Sequence, residues 1–279
     1  MKQAKKSKKK AIRILGVVLA VILIASLVMV VRTQIEYRKI IADSDEAAQI
    51  AGLPEKWQPK NPRESQPGGT GDPAASEEPE PLPEEAAALT QVDLDALREV
   101  NGDVVGWIAI PNTELSYPLV QGTDNQYYLS RNWKREKNSG GSVFLESTNK
   151  SDLSAFHTIV YAHRMRNDTM FGTLKYYDRL DFWREHPSVY IVLNDTIYRY
   201  DIFSAQEAAV ESIIYRLDLE KNHLEDEFLQ YCADNSVIHT GLTPEADGRF
   251  LTLSTCTEAG FAETRWVVHG VLAQEYSRD

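Results

Sequence analysis

Cysteine is scarce in this sequence, since Cys232 and Cys256 are the only two among 279 residues. A disulfide framework of the kind that holds small secreted folds together is therefore excluded, and at most one bridge could form. Recognisable metal and phosphate motifs are also missing: no C-x-x-C, H-E-x-x-H or EF-hand spacing and no glycine-rich phosphate loop occurs. We therefore expect neither a metal site nor a cofactor. No period of about 20–50 residues repeats, which excludes a solenoid.

Acidic residues are absent from the first 32 residues, which contain six lysines and two arginines. Because the whole chain carries a formal net charge of −11, the residues after this basic segment carry −19. Such an acidic body is not suited to nucleic acid, whose phosphates attract basic surfaces, so we expect no nucleic acid partner. The negative charge either favours a cationic partner or is simply a solvated surface.

Charged residues are also absent from Ile14 to Val31, an apolar run of 18 residues. At about 1.5 Å per residue this run spans roughly 27 Å, which is just enough to cross a hydrocarbon core. A cleaved signal peptide is the alternative, but the run is longer than a usual signal core and no small-residue cleavage site follows it. We predict a basic cytoplasmic tail at 1–13 and a single transmembrane helix at 14–31, with the rest of the chain extracellular.

Residues 32–86 are predicted to be a juxtamembrane segment followed by a disordered linker. The first part mixes polar and apolar positions and can extend the membrane helix as far as residue 52. From Pro54 onward the segment offers almost nothing to bury, and it contains eight of the twelve prolines among Gly, Ser and Glu. Such a composition stays extended and solvated, because burial cannot offset the entropy lost on ordering.

Residues 87–275 have the composition of one folded domain with many short strands and few helices. Helical periods occur at 86–100 and 208–235, and a short helix or loop is expected at 124–129. The strand-like segments are 104–110, 117–120, 140–146, 156–163, 188–192, 195–205, 249–256 and 265–272. This pattern favours a mainly β fold, built on a largely antiparallel closed sheet with peripheral helices.

The last two strand-like segments carry the chemistry of the chain. Successive side chains of a strand alternate between its faces, so Ser254 shares the face of Cys256, which ends its strand. If the two strands pair as antiparallel neighbours, Cys256 lies near Arg265. A guanidinium stabilises a thiolate, and it can also bond the oxyanion that forms when sulfur attacks a carbonyl. Cys232, by contrast, lies on an amphipathic helical pattern and is predicted to be a small core residue.

A proton carrier is available at the end of another strand, where Tyr161-Ala162-His163 precedes a polar loop. Imidazole is the usual group for proton transfer near neutral pH. The other histidines are predicted to be structural or exposed, and His269 is of most interest among them because it shares the face of Arg265.

These residues resemble the sortase family. Thr252-Leu253-Ser254-Thr255-Cys256 is similar to the strand-borne T-L-S-T-C of sortases, Arg265 stands where their arginine follows, and Tyr161-Ala162-His163 is similar to their Y-[GA]-H strand end. The order of histidine, cysteine and arginine also matches. Four further segments resemble the class B branch in particular: 105–113, 117–122, 124–129 and 169–171.

The resemblance implies an eight-stranded sortase β-barrel and a cysteine transpeptidase. It implies Cys256 as nucleophile, His163 as general acid and then base, and Arg265 as the group that stabilises the oxyanion. The implied partners are a sorting-signal peptide of a secreted protein and an acceptor amine on a peptidoglycan precursor or a pilin. Ser254 and Thr255 are candidate substrate or oxyanion contacts, with ordinary strand packing as the alternative. Asn125 is a candidate substrate contact, because its neighbourhood approaches the substrate in the resembling class.

Three other interpretations compete with this one. An L,D-transpeptidase also uses cysteine with an upstream histidine and a downstream arginine, but S-H-G-C-type sequence is then expected around the thiol. Papain-like proteases place cysteine before histidine, which is the reverse of the order here. A membrane-tethered surface-binding module with an inert Cys256 would tolerate thiol alkylation, whereas a transpeptidase would lose its activity.

Overall fold

The structure is a computed structural model that describes residues 2–53, 81–256 and 263–278, with side chains from Ile14 onward and without that of Cys256. The chain forms two compact units, Met1–Ile40 and Ile41–Asp279. Most of the predicted linker falls on residues 54–80 and so lies outside the described residues.

The first unit is helical, and its helix α1 (Lys2–Ile50) ends inside the second unit. From Ile14 the helix is long and apolar enough to cross a membrane, with a mean hydropathy of 3.2 over its best 18-residue window. None of that window is buried by protein. Since large apolar side chains are costly to expose to water, this segment is a candidate membrane span.

The second unit contains a closed eight-stranded barrel, which confirms the predicted fold class. The order around the barrel is β1-β2-β3-β4-β7-β8-β6-β5, closed by the antiparallel pairing of β5 with β1. The strands are β1 (Val104–Ala109), β2 (Ser116–Val120), β3 (Val143–Leu145), β4 (His157–His163), β5 (Ser188–Leu193), β6 (Thr196–Ala209), β7 (Phe250–Cys256) and β8 (Thr264–Ser277).

Two neighbouring pairs in the barrel are parallel, β2 with β3 and β4 with β7, and the others are antiparallel. Strand β7 is therefore held between a parallel neighbour and the antiparallel β8. Described side chains on both of its faces are buried: Leu251 and Leu253 lie on one face, and Phe250, Thr252 and Ser254 on the other. The Phe250 ring lies 5.8 Å from the ring of Phe228, which belongs to the helix at Glu225–Asn235.

The helices are shorter than the sequence periods suggest. Instead of one helix over 86–100, a 3-10 helix (Glu84–Gln91) is followed by α2 (Leu94–Val100), because Asp93 caps α2 by accepting a hydrogen bond from the Ala96 amide. Two further short helices, α3 (Leu180–Glu185) and α4 (Leu219–Asn222), are accompanied by 3-10 turns at Tyr127–Leu129, Gly172–Asp178 and Ile213–Tyr215.

The predicted helical region 208–235 is mostly not one helix. Pairing with β8 carries β6 as far as Ala209, and α5 occupies only Glu225–Asn235. His223 adopts a left-handed backbone (φ 54°) and separates α4 from α5. The apolar residues Ile214, Leu219, Phe228 and Cys232 are all buried in one cluster, although they come from separate segments. The apolar residues therefore recur at helical spacing because they share one core, although they do not belong to a single helix.

Residues just after the first unit belong to the core of the second. Ala47, Ala51 and Leu53 pack in one cluster with Leu89 and Trp107. The sequence assigned residues 32–86 to a juxtamembrane segment and linker and began the folded domain at residue 87. In the structure, Ala47, Ala51 and Leu53 at and just after the end of α1 contribute buried side chains to the barrel unit.

Candidate active site

His163 and Cys256 occupy the ends of adjacent parallel strands. The β4–β7 register pairs seven residues in succession, from His157 with Phe250 to His163 with Cys256. Neighbouring strands lie about 4.8 Å apart, so the two backbone positions are immediate neighbours. The long ladder before them fixes this register, because a slip by one residue would move buried side chains to the opposite face.

Arg265 reaches the same end of the barrel from β8. Strands β7 and β8 pair antiparallel up to Ser254 and Val267, and the Thr255 hydroxyl continues the pairing by bonding the Trp266 amide (3.1 Å) and the Trp266 carbonyl oxygen (3.2 Å). Arg265 is the second residue of β8 and comes two residues before Val267, the last β8 residue paired with β7. The antiparallel pairing of β7 with β8 expected from the sequence is confirmed, and it directs the start of β8 towards the strand end that carries Cys256.

The His163 ring is held by a backbone carbonyl group. Its Nε2 lies 2.7 Å from the carbonyl oxygen of Leu129, which can only accept a hydrogen bond. Nε2 therefore carries a proton, and Nδ1 is left as the nitrogen that can take up and release one. The side chain is half-buried, so it combines this support with access to solvent.

Gly141 leaves room for the His163 ring. Its backbone is left-handed (φ +62°), and a Cβ there would lie 2.7 Å from the Tyr128 carbonyl oxygen and 3.1 Å from His163 Cδ2. Either feature alone disfavours another residue at this position. Sequence reasoning did not single out Gly141 or Leu129, since neither a glycine nor a carbonyl group carries a distinctive side-chain signal.

Ser254 and Thr255, predicted as substrate or oxyanion contacts, are both buried. The Ser254 hydroxyl lies 2.9 Å from that of Tyr215, whose 3-10 turn borders this strand. The Thr255 hydroxyl bonds the backbone of Trp266, as described above. Both hydroxyls thus have protein partners that order the strand end, whether or not they also contact a substrate.

Asn125 bonds the carboxylate of Glu146. Its Nδ2 donates to Glu146 Oε2 (2.5 Å), while its Oδ1 accepts from the Ser147 amide (2.8 Å). The hydroxyl of Tyr161, two residues before His163, also donates to Glu146 Oε2. Glu146 was not foreseen from the sequence, because a lone acid at the end of a short strand resembles any surface acid.

His269 and His157 form a buried hydrogen-bonded chain rather than part of a catalytic group. His157 Nε2 lies 2.7 Å from the Thr252 hydroxyl, and His269 Nδ1 lies 2.9 Å from the same oxygen. Burial lowers the pKa of His157 to about 4 and that of His269 to about 3, so both rings are neutral near pH 7. This arrangement agrees with a structural role for both residues.

Cys232 lies on α5 and is completely buried, and burial raises the pKa of its thiol well above the usual range. Such a thiol is inert near neutral pH. Within residues 2–53, 81–256 and 263–278, no cluster of three or more His, Cys, Asp or Glu side chains has the arrangement of a metal site.

Known proteins resemble this chain over the same region. A family model described as the sortase domain matches residues 108–273. The sortase B of Listeria monocytogenes is 33% identical over 181 residues, which cover 64% of this chain and 74% of the relative. A Staphylococcus aureus sortase B–substrate complex superposes with a TM-score of 0.61 at 30% identity, covering 65% of this chain and 84% of that one. A sortase B complexed with triglycine has a TM-score of 0.61 at 30% identity, covering 64% and 85%. The chain therefore belongs to the sortase family, with class B sortases as its relatives, and is a cysteine transpeptidase of that type.

Proposed function

We propose that this protein is a membrane-anchored transpeptidase that cleaves the sorting-signal peptide of secreted proteins through a Cys256 thioester. The observation that carries the proposal is the convergence of His163, Cys256 and Arg265 at one end of the barrel, from three separate strands. The acyl group then passes to an amine on a peptidoglycan precursor or a pilin. Complexes of sortase B relatives with a substrate and with triglycine support an acyl donor and an amine acceptor in general.

The acylation step uses each of the three residues once. The Cys256 sulfur attacks the carbonyl carbon of the scissile peptide bond, and a carbon–sulfur bond forms as the carbonyl oxygen takes up negative charge. The Arg265 guanidinium donates hydrogen bonds to that oxyanion. His163 then protonates the leaving nitrogen as the carbon–nitrogen bond breaks, which leaves a thioester and a free amine.

The transfer step reverses these roles. An incoming amine attacks the thioester carbon while neutral His163 accepts the proton that the nitrogen loses. The tetrahedral intermediate again places its negative oxygen at Arg265. When it collapses, a new amide bond forms and the Cys256 thiolate leaves. The Cys256 thiolate and the protonated His163 imidazolium, from which the cycle starts, are thereby restored.

The anchor follows from the apolar helix at the amino terminus. The span at 14–31 is preceded by six lysines and one arginine and by no acid. Cationic residues are retained on the cytoplasmic side, so we propose that residues 1–13 are cytoplasmic and that the catalytic domain is extracellular. Sorting signals of secreted proteins and cell-wall amines are both available on that side of the membrane.

The proposal is tested by trapping the acyl-enzyme. The full chain is incubated with a peptide library, quenched in acid and digested with trypsin. Because cleavage follows Lys221, Arg249 and Arg265, Cys256 lies in the tryptic peptide 250–265 and Cys232 lies in 222–249. We expect an acyl adduct on 250–265, and none on 222–249. Peptide cleavage that persists after complete alkylation of Cys256 would refute the proposed nucleophile.

A further inference from the structure

Asp43 is a buried carboxylate near the end of α1, in the unit that contains the barrel. Its Oδ2 accepts hydrogen bonds from Asn138 Nδ2 (2.5 Å) and Asn132 Nδ2 (3.0 Å). The indole of Trp133 donates to the Asp43 carbonyl oxygen (3.0 Å), and Lys134 Nζ lies 3.7 Å from Oδ1. All four partners come from residues 132–138. A buried charge is retained only where such donors compensate it, so this contact is specific.

The partners belong to a loop, residues 129–142, that folds back on itself. The Asn138 amide donates to the Ser130 carbonyl oxygen (3.1 Å), and Asn138 Oδ1 accepts from the Gly140 amide (2.8 Å). At its far end the Gly141 amide donates to the Asn138 carbonyl oxygen (3.2 Å). Asn138 therefore bonds Asp43 with one end of its side chain and shapes the turn before Gly141 with the other.

The same loop carries the support of the His163 ring. Leu129, at its start, supplies the carbonyl oxygen that His163 Nε2 bonds at 2.7 Å. Gly141, near its end, packs against both that carbonyl group and the ring, and the Ser142 amide fixes the Tyr128 carbonyl oxygen at 3.0 Å. The position of the Leu129 carbonyl group thus depends on how the two ends of the loop are held together.

We propose that Asp43 is a positioning residue for His163, acting through Asn138 and the 129–142 loop on the Leu129 carbonyl group. The inference rests on the proposed function, because it assigns a role within that catalytic site. It extends the working site to a residue of α1, more than a hundred residues before the histidine. Its effect belongs to the chemical step, since a misoriented imidazole transfers protons less well without changing how a peptide binds.

Other contacts hold the end of α1 in place when Asp43 is changed. Ala47, Ala51 and Leu53 are buried in the core, so a substitution at residue 43 should release the loop rather than the helix. Glu46 provides a matched control. It lies on the same helix turn and bonds Lys134 of the same loop at 2.6 Å, but its side chain is 48% exposed. A contact of that kind contributes little.

The test measures kcat and KM of the full chain in detergent, per active site titrated by alkylation of Cys256. Asp43→Ala removes the acceptor, and Asn138→Asp sets two carboxylates against each other. Each should lower kcat by about tenfold to a hundredfold with KM within about twofold of the unchanged chain. The double variant Asp43→Asn/Asn138→Asp restores one donor and one acceptor, and it should recover kcat to within about threefold. Glu46→Gln should stay within about twofold.

A second readout does not depend on turnover. Hydrogen exchange of the amides in 129–142 should speed up at least about tenfold in Asp43→Ala and Asn138→Asp, and not in Glu46→Gln or the double variant. If the unchanged chain shows no turnover, the proposed function fails. The exchange pattern then still decides whether the contact of Asp43 with Asn138 orders the 129–142 loop. Unchanged exchange, or a lower melting temperature with kcat per titrated site retained, would overturn the role of Asp43. If Asp43→Ala does not fold, the comparison of Asn138→Asp with the double variant Asp43→Asn/Asn138→Asp decides the question.

Discussion

His163 and Cys256 are paired residues at the ends of two parallel strands, six residues after the pairing begins at His157 and Phe250. Their separation is set by a hydrogen-bonded ladder between buried strands rather than by a loop. The backbone positions of the proposed nucleophile and proton carrier are therefore fixed before a substrate arrives, and such preorganisation lowers an activation barrier.

Loss of either member of this pair should abolish transpeptidation. We expect Cys256→Ala and His163→Ala to reduce kcat/KM by at least about 10³-fold, because nucleophile and proton carrier act as a unit. The measurement is amide formation with a fluorogenic peptide and an amine acceptor. Cys232→Ala is the matched control: it removes a buried thiol on α5 and should cost only about 1 kcal/mol of stability. Full activity in Cys256→Ala would contradict the assignment.

Arg265 should be needed for its hydrogen-bonding geometry and not only for its charge. Arg265→Ala should lower kcat by about 10²–10³-fold, the usual cost of losing one oxyanion donor, and Arg265→Lys should recover only part of this loss. Arg249, at the opposite end of β7 and paired with Glu275, is the control arginine. Arg249→Ala should leave kcat within about twofold. Equal rates for Arg265→Lys and the unchanged chain would mean that charge alone suffices.

The barrel and the meeting of three strand ends were predictable, because each depends on strand alternation and on pairing between neighbouring segments. The strand-like segment 249–256 ends at Cys256, and antiparallel pairing with β8 brings Arg265 towards this strand end. The turn between β5 and β6 contains Asn194-Asp195, residue types that favour such turns, and Asn194 adopts a positive φ of 34° there.

The support of His163 could not be foreseen, since it depends on tertiary contacts between polar groups that have no sequence period. The Leu129 carbonyl group acts through its backbone position, and Asp43 lies in a segment that was expected only to extend the membrane helix. The prediction of a helix over 208–235 was largely wrong for the opposite reason. Its apolar residues do have a helical period, but β6 pairing and the left-handed His223 divide the segment.

The buried chain of His157, Thr252 and His269 predicts a loss of stability in mild acid. Burial holds the pKa of both histidines, at about 4 and about 3, below the ordinary value of about 6.5. The unfolded chain therefore binds more protons between these values, so stability is complete above pH 6.5 and falls as the pH drops towards 4. Each histidine can contribute up to about 1.4 kcal/mol per pH unit.

Urea denaturation at pH 7.5, 5.5 and 4.5 measures this slope. The double variant His157→Gln/His269→Gln should be less stable at pH 7.5 but should lose less stability on acidification than the unchanged chain. The exposed His223 gives the control, since His223→Gln should keep the full slope. Carboxylates contribute equally in all three chains. Identical slopes in the double variant and the unchanged chain would show that the two buried rings do not control acid sensitivity.

The glycine beside the His163 ring provides a comparison that separates backbone strain from steric collision. Gly141 and Gly241 both have left-handed backbones, with φ of +62° and +82°. An added methyl group at Gly241 would meet nothing within 4 Å, whereas at Gly141 it would meet the carbonyl oxygens of Tyr128 and Leu129 at 2.7 and 2.9 Å. Gly241→Ala should therefore cost only the strain of about 1–2 kcal/mol and leave kcat unchanged.

Gly141→Ala should cost more stability than Gly241→Ala and should also lower kcat by roughly tenfold or more, because the Leu129 carbonyl group and the His163 ring must shift. Thermal unfolding gives the first quantity, and kcat per alkylation-titrated Cys256 at a temperature where both variants are folded gives the second. Since the two variants share the backbone strain, the difference between them isolates the collision. A kcat for Gly141→Ala equal to that of Gly241→Ala would mean that the Leu129 carbonyl group does not set the orientation of the His163 imidazole.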